Sequence, residues 1–366
     1  MGADTGIPTF GVEEEFLLVD PVAGHPVACN VAVAQAAAAR GTKLQLEMTQ
    51  CQVETATPVC NTAHELDSYL RLSRKNAAGA AEDCGARLLA ASVSPAVTAD
   101  FPLTEKSRYT TIKSEFGIVA NELAVCGCHV HVSIDDPDQA PAISNHLRPW
   151  LPTLLALSAN SSICEGRDTG YASWRSVLWS RWPSAGPPPY FSDHDHYTAT
   201  VRDLRIAGAA LDDAMVYWHI RPSSHLPTIE IRVCDVPATV DETVLLAVLI
   251  RSLVMAALNR VRQGDNGPMV PDSFLRAACW RAARDGIAGE GVDVHARRLT
   301  PVRKCVDSLL RMVRPELDRT GEYDEATELV ERVFGRGNGA IRQRAALERR
   351  DDVGDVVAEL ARLTAL

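Results

Sequence analysis

A chain of 366 residues, 46% hydrophobic and 23% charged, is long enough to bury a sizeable core, and it reads as a single domain spanning 1–366. Its formal net charge of −10 argues against nucleic acid or an anionic membrane surface as the main partner, and leaves small molecules.

Met1 to Pro8 has neither a basic n-region nor an apolar h-region, so no secretory leader is expected. The ten cysteines are scattered with no CxxC pair, which without a leader points to reduced thiols in a cytoplasm, most of them packed as small hydrophobes. The first β-prone run, Thr9 to Asp20, holds three consecutive carboxylates. Strand alternation puts Glu13 and Glu15 on one face roughly 7 Å apart, and Glu14 with Val12, Phe16 and Leu18 on the other. Two like charges on a buried face call for a cation, and a divalent metal is the obvious one. An edge strand with its carboxylates in water is the alternative.

Pro21 to Pro26 reads as a turn, and Val31 to Arg40 as a short helix stopped by Gly41. Lys43 to Thr57 reads as extended chain ending at Pro58, with Gln52 and Glu54 on one face. Thr62-Ala63-His64-Glu65 has the form of a capping box opening a helix toward Cys84 and Gly85, and Arg87 to Val93 reads as a strand. In Ala124 to Ile134 the alternation places His129, His131 and Ser133 together. Cys126, Cys128 and His129 make a poor zinc site, since zinc wants longer spacings and a second ligand pair.

Ser161 to Asp195 is loop-rich, with Arg167, Arg175 and Arg181 threaded among Trp174, Trp179 and Trp182. Such arginines could grip phosphate or carboxylate oxygens, or make surface pairs on a solvated lid. Val216 to Pro222 and Thr228 to Asp235 read as strands, the second with Glu230 and Arg232 on one face. From Asp241 onward the pattern is helical: Val244 to Arg260, Ser273 to Arg284, Val302 to Val313, Glu322 to Phe334 and Val353 to Leu363. The apolar run Val244 to Asn259, interrupted by Arg251, reads as buried and too short for a bilayer. A strand-rich 1–240 followed by a helical 241–366 argues for an α+β domain with a largely antiparallel sheet. No Walker A loop or GxGxxG appears.

Four separated strands thus offer polar groups on one face: Glu13 with Glu15, Gln52 with Glu54, His129 with His131, and Glu230 with Arg232. Together, TFGVEEEFLLVDP, EMTQCQVETAT, GCHVHVSI, YASWRSVLWSRWPSAGPPPYF and TIEIRVCDVPATVDE resemble the bacterial glutamate-cysteine ligase type 2 family, the carboxylate-amine ligases, over essentially the whole chain. The resemblance implies the glutamine synthetase-like catalytic fold, a curved antiparallel sheet lined with metal-binding carboxylates and backed by helices. It also implies a cytoplasmic ligase that uses ATP with Mg²⁺ or Mn²⁺ to join a small-molecule carboxylate, typically the γ-carboxyl of glutamate, to an amine such as cysteine.

Position by position, the resemblance makes Glu13, Glu15 and Glu54 metal ligands, with Glu47 a further acidic one. His129 falls near metal and nucleotide phosphates, and His131 beside it. Glu230 matches a metal carboxylate and Arg232 a phosphate-contacting arginine, while Arg175, Arg181 and Arg221 match substrate or phosphate binders. One departure is visible: the family usually has an asparagine before Trp280, where Ala277-Ala278-Cys279 stands here. A homodimer is the default by symmetry. The residues alone also admit a metal-dependent hydrolase, or a non-catalytic glutamate- or nucleotide-binding regulator.

Overall fold

The computed structural model describes residues 6–97, 101–121 and 124–365; of the stretch read for a leader, residues 1–5 lie outside the described residues. The strands run in chain order β1 (Phe10–Val19), β2 (Leu44–Leu46), β3 (Gln52–Ala56), β4 (Arg87–Leu89), β5 (Gly127–Ser133), β6 (Ile163–Cys164), β7 (Arg167–Asp168), β8 (Ile220–Pro222), β9 (Thr228–Asp235), β10 (Glu290–Asp293) and β11 (Arg298–Pro301). Interleaved with the first nine are helices α1 (Asn30–Ala39), α2 (Ala63–Asp83), α3 (Ser107–Phe116), α4 (Ile118–Asn121), α5 (Ala140–Leu147), α6 (Leu151–Ser158), α7 (Trp174–Trp179) and α8 (His194–Ile206). Then come α9 (Val240–Val261), α10 (Asp272–Asp285), α11 (Val302–Thr320), α12 (Tyr323–Arg336), α13 (Gly339–Glu348) and α14 (Val353–Thr364).

One seven-stranded sheet, ordered β2-β3-β1-β5-β9-β8 with β4 also on β1, carries the fold, and every pairing in it is antiparallel. This is the α+β arrangement that the alternating strands called for. The first 240 residues nevertheless hold eight helices among the described residues, and β10 and β11 form a hairpin within the helical half. The sheet's back face packs Val130, Val132, Ile229, Ile231 and Val233 against α6 and α9, whose leucines and valines fill the main core. Each such side chain removed from water contributes about 1.5–3 kcal/mol. A second core gathers Phe16, Leu18 and Val53 with Ala77, Leu89 and Leu360.

α9 runs 22 residues, longer than the apolar run suggested, and by length and composition it would reach across a bilayer. Protein covers it instead: every residue from Thr243 to Leu258 is buried. A capping box from Thr239 and Glu242 starts the helix.

The stretch Lys43 to Thr57 is not continuous extended chain but a hairpin, β2 turning into β3 with Gln45 opposite Glu54. Thr49 makes the turn, its Oγ1 donating to Gln52 Oε1 at 2.7 Å and its carbonyl accepting from Gln52 N. Val216 to Pro222 is strand only from Ile220, because Tyr217 N–H bonds Ser184 Oγ and His219 N–H bonds the Gly186 carbonyl instead of a neighbouring strand. At the α2 entry Thr62 caps Glu65 N–H, and the Glu65 carboxylate reaches back chiefly to Asn61 N–H at 2.7 Å and also toward the Thr62 backbone.

Candidate functional site

The open face of the sheet lines a cavity of about 390 Å³. Period-2 alternation points Glu13 and Glu15 of β1 into it, and registry supplies their neighbours: Glu15 lies opposite Glu54, Glu13 opposite His129, His131 opposite Glu230, and Glu230 opposite Arg221. Between Cys128 and Val130 the β5–β9 register shifts, β9 using one residue more than β5. Such a bulge re-aims side chains locally, here beside His129 and Arg232.

Donor atoms converge in three groups, each within 4.8 Å: Glu15, Glu47 and Glu54; Glu13, Glu54 and His129; and Glu13, His131 and Glu230. Glu47 reaches the first because the β2–β3 turn folds it back over β3. Around Glu15, burial and then the Glu47 charge push the carboxyl up to about 8. Glu54 is raised as well, by burial and by Glu47, Glu13 and Glu15. Among the described residues its direct side-chain donor is Gln45 Nε2 at 2.7 Å.

The second half of the site is richer in cations. Burial would raise Glu230, but Arg232 and Arg221 outweigh it and hold the carboxyl well below the usual range. Arg232 pairs directly with Glu230. Arg221 donates to Glu230 from Nε at 2.8 Å and to the Ala214 and Val216 carbonyls at 2.7 and 3.0 Å, so its donors serve the protein even though it lines the cavity. Burial and the Arg232 charge lower His129 to about 4, leaving it neutral at pH 7 with its Nδ1 3.3 Å from Glu13. His131 Nδ1 is tied to Thr228 Oγ1 at 2.9 Å, while its buried Nε2 has no hydrogen bond and stands 3.5 Å from Glu13.

Clustered, half-buried to buried carboxylates that repel one another, a neutral imidazole and an imidazole nitrogen without a hydrogen bond among the described residues form a donor set that fits a hard divalent cation. Transition-metal thiolate chemistry fits less well. Cys128 points with Val130 into the core, on the face away from His129, and Cys126 Sγ takes a bond from Gln52 at 3.4 Å. Burial raises both thiols. No cysteine joins the metal-ligating groups among the described residues, and all ten are unbridged.

Of the sequence-derived residues, Glu13, Glu15, Glu47, Glu54, His129, His131, Arg175, Arg221, Glu230 and Arg232 all line the cavity. Arg181 does not: it is exposed just past α7. Ala278 and Cys279 lie on α10, packed in the core and away from the cavity lining. Sequence reasoning overlooked Gln45, Arg108, Tyr109 and Tyr217, which line the cavity along with Trp179 and Trp182. Gln45 and Tyr217 lie on stretches whose alternation reads as plain extended chain and strand rather than hairpin and loop, and Arg108 and Tyr109 lie on a helix with no chemical motif.

A family model for glutamate-cysteine ligase family 2 matches residues 9–359. A Mycolicibacterium smegmatis protein provisionally named glutamate–cysteine ligase 2-3 is 52% identical over 360 residues, covering 98% of each chain. Among solved structures, the glutamate–cysteine ligase of Francisella tularensis in complex with AMP superimposes with a TM-score of 0.68 at 12% identity, covering 98% of this chain and 88% of that one. A bifunctional glutathione synthetase from Pasteurella multocida gives a TM-score of 0.67 at 13% identity, over 98% of this chain and 52% of that one. These neighbours share the glutamine synthetase-like α+β fold. With the family model spanning nearly the whole chain and half the residues shared with a full-length relative, the chain belongs to glutamate-cysteine ligase family 2 and is by class a carbon–nitrogen ligase.

Proposed function

We propose that the chain is an ATP-dependent carboxylate–amine ligase that activates the γ-carboxyl of glutamate, or a similar carboxylate, as an acyl phosphate and passes the acyl group to an amine such as cysteine. One observation carries this reading: five carboxylates, three histidines and four arginines from separate segments meet in one cavity with the charges graded from acidic at Glu15, Glu47 and Glu54 to cationic at Arg221 and Arg232. Phosphoryl transfer needs little covalent help from protein, only positioning and charge stabilisation.

Glu13, Glu15, Glu47, Glu54, His129, His131 and Glu230 would hold Mg²⁺ or Mn²⁺, which when bound neutralises phosphate oxygens. Arg232, whose buried Nε has no hydrogen bond among the described residues, would donate to an oxygen of the transferring phosphoryl group. Arg221 fixes Glu230 and so holds that end of the cleft rigid. Neutral His129 offers a lone pair, and the substrate carboxylate itself is the nucleophile. The amine then attacks the acyl carbon and phosphate leaves. The unbridged, mostly buried cysteines suit a cytoplasmic enzyme, and a homodimer is its expected state.

Incubation with ATP, Mg²⁺, glutamate and hydroxylamine is expected to give the hydroxamate together with ADP. ADP without hydroxamate across several carboxylates would reject the acyl phosphate. Turnover of a substrate without ATP would favour the hydrolase reading instead.

A further inference from the structure

Asp235, the last residue of β9, is fully buried and anchors the segment that presents Arg175. Its Oδ1 accepts from Ser173 Oγ at 2.8 Å, and its Oδ2 from Ser161 Oγ at 2.7 Å and Asn160 N–H at 2.8 Å. Ser161 Oγ in turn accepts from the Arg175 N–H at 3.0 Å, and Ser173 Oγ caps α7 by accepting from Ser176 N–H at 3.2 Å. The same carboxylate stands 3.9 Å from Arg175 Nη1. One sheet residue therefore fixes the backbone that carries the arginine and faces its guanidinium.

Gly127 leaves room for the guanidinium on another side. A methyl at this position would overlap the end of the Arg175 side chain, 3.1 Å from Cζ, and would also stand 3.1 Å from His129 Nε2. The Gly127 N–H meanwhile donates to Glu15 Oε2 at 2.6 Å. Arg175 itself is buried, lines the cavity, and lies over Trp179 at 5.8 Å. Among the described residues its guanidinium makes one hydrogen bond, to the Arg232 carbonyl at 3.4 Å, and its Nε makes none. A buried cation held this closely, with donors left over beside a carboxylate cluster, is arranged for a ligand rather than for a structural pair.

We propose that Asp235 and Gly127 are positioning residues of the ligation reaction: Asp235 anchors segment 160–176 and Gly127 leaves the space that together set where the Arg175 guanidinium stands beside Glu15. This rests on the reading of the cavity given above. A displacement near 1 Å is enough to cost about 10²-fold in rate.

A double-mutant cycle on hydroxamate formation, with crystal structures of the variants, tests it. Gly127→Ala and Asp235→Asn are each expected to lower kcat about 10²-fold in the wild-type background. In an Arg175→Ala background each is expected to add less than about 2-fold, because the group they place is gone. The Gly127→Ala structure is expected to have the guanidinium displaced with the sheet unchanged. Equal losses in both backgrounds would overturn the proposal, since the effects would then run through His129 or through the fold at large. So would wild-type kcat in Gly127→Ala or Arg175→Ala, or an unmoved guanidinium. Should Asp235→Asn fail to fold, Gly127→Ala carries the cycle alone. Should the wild type form no hydroxamate, the functional reading fails while the guanidinium position in the Gly127→Ala crystal still decides this one.

Discussion

Glu13, Glu14 and Glu15 are consecutive on one strand, yet their two faces solve the problem of a buried carboxylate in opposite ways. On the core face Glu14 is fully buried and fully answered: Arg74 grips it through Nε at 2.9 Å and Nη2 at 2.5 Å, and Thr243 Oγ1 donates at 2.7 Å. Arg74 is itself held by the Pro237 and Ala238 carbonyls. On the cavity face Glu15 has one backbone donor from Gly127 and two further carboxylates, Glu47 and Glu54, as neighbours. The first face is a finished structure. The second is a set of carboxylates that Arg175 and Arg232 balance only in part, and on the proposed reading a ligand completes it.

Breaking the finished face is expected to cost the most. Arg74→Ala strands the Glu14 charge in the core, and a buried pair broken on one side loses about 3–5 kcal/mol. Chemical denaturation should register that loss in full whether or not Mg²⁺ and ATP are present. A change below about 1 kcal/mol would mean water enters to replace the arginine and the two faces are less different than they look.

On the cavity face the expected losses fall on chemistry instead. Arg232→Lys keeps a point charge beside Glu230 but gives up the planar fork, so kcat should drop by about 10² while the denaturation midpoint barely moves. Near-normal kcat in a folded variant would leave Arg232 only its pairing with Glu230. Glu54→Gln should weaken metal–nucleotide affinity about 10–100-fold, as loss of a group around a metal commonly does, and should make the metal-free protein more stable rather than less. Titration calorimetry with Mg²⁺ and ATP beside an unfolding curve reads both signs. Unchanged turnover at limiting Mg²⁺ would remove Glu54 from the metal site.

The contrast between the faces also explains what the sequence made legible. Strand alternation is strictly local, so Glu13 and Glu15 could be set apart from Glu14, and Glu230 put beside Arg232, from spacing alone. Which strands neighbour one another is not local. The alternation could not reveal that Glu47 folds back over Glu54 through the Thr49 turn, or that β5 lies between β1 and β9 and so delivers His131 to Glu230. Arg181 illustrates the limit from the other side: within one arginine- and tryptophan-rich stretch, Arg175 enters the cavity on the first turn of α7 and Arg181, six residues later, is exposed. Asp235 gave no signal at all, because its partners Ser161 and Ser173 are more than sixty residues away.

The smallest expected effect uses pH to sharpen the comparison. Glu15 stands at about 8 in the folded chain without a cation, against an ordinary glutamate value of 4.5, and the chief cause is burial. A carboxyl raised on folding favours the folded state while it keeps its proton, so that contribution is present below pH 4.5 and is lost as pH rises through 8. Glu54, also raised by burial, acts with the same sign. Glu230, held low by its arginines, has completed its change below pH 7, and His129, lowered to about 4 from 6.5, adds only the small tail of a rise above pH 7. Between pH 7 and pH 9 the metal-free protein should therefore lose about 1.4 kcal/mol as Glu15 ionises, the value of one pKa unit. With Mg²⁺ and ATP the bound charge stabilises the ionised form, and the slope over that window should flatten or reverse. The buried thiols, also raised by burial, add a slope of the same sign toward pH 9, so the Glu15 part is read as the difference between wild type and Glu15→Gln, which should be shallower in the metal-free protein. The same slope surviving in Glu15→Gln would assign the ionisation to another group and would count against Glu15 as a carboxylate that folding leaves for a cation to balance.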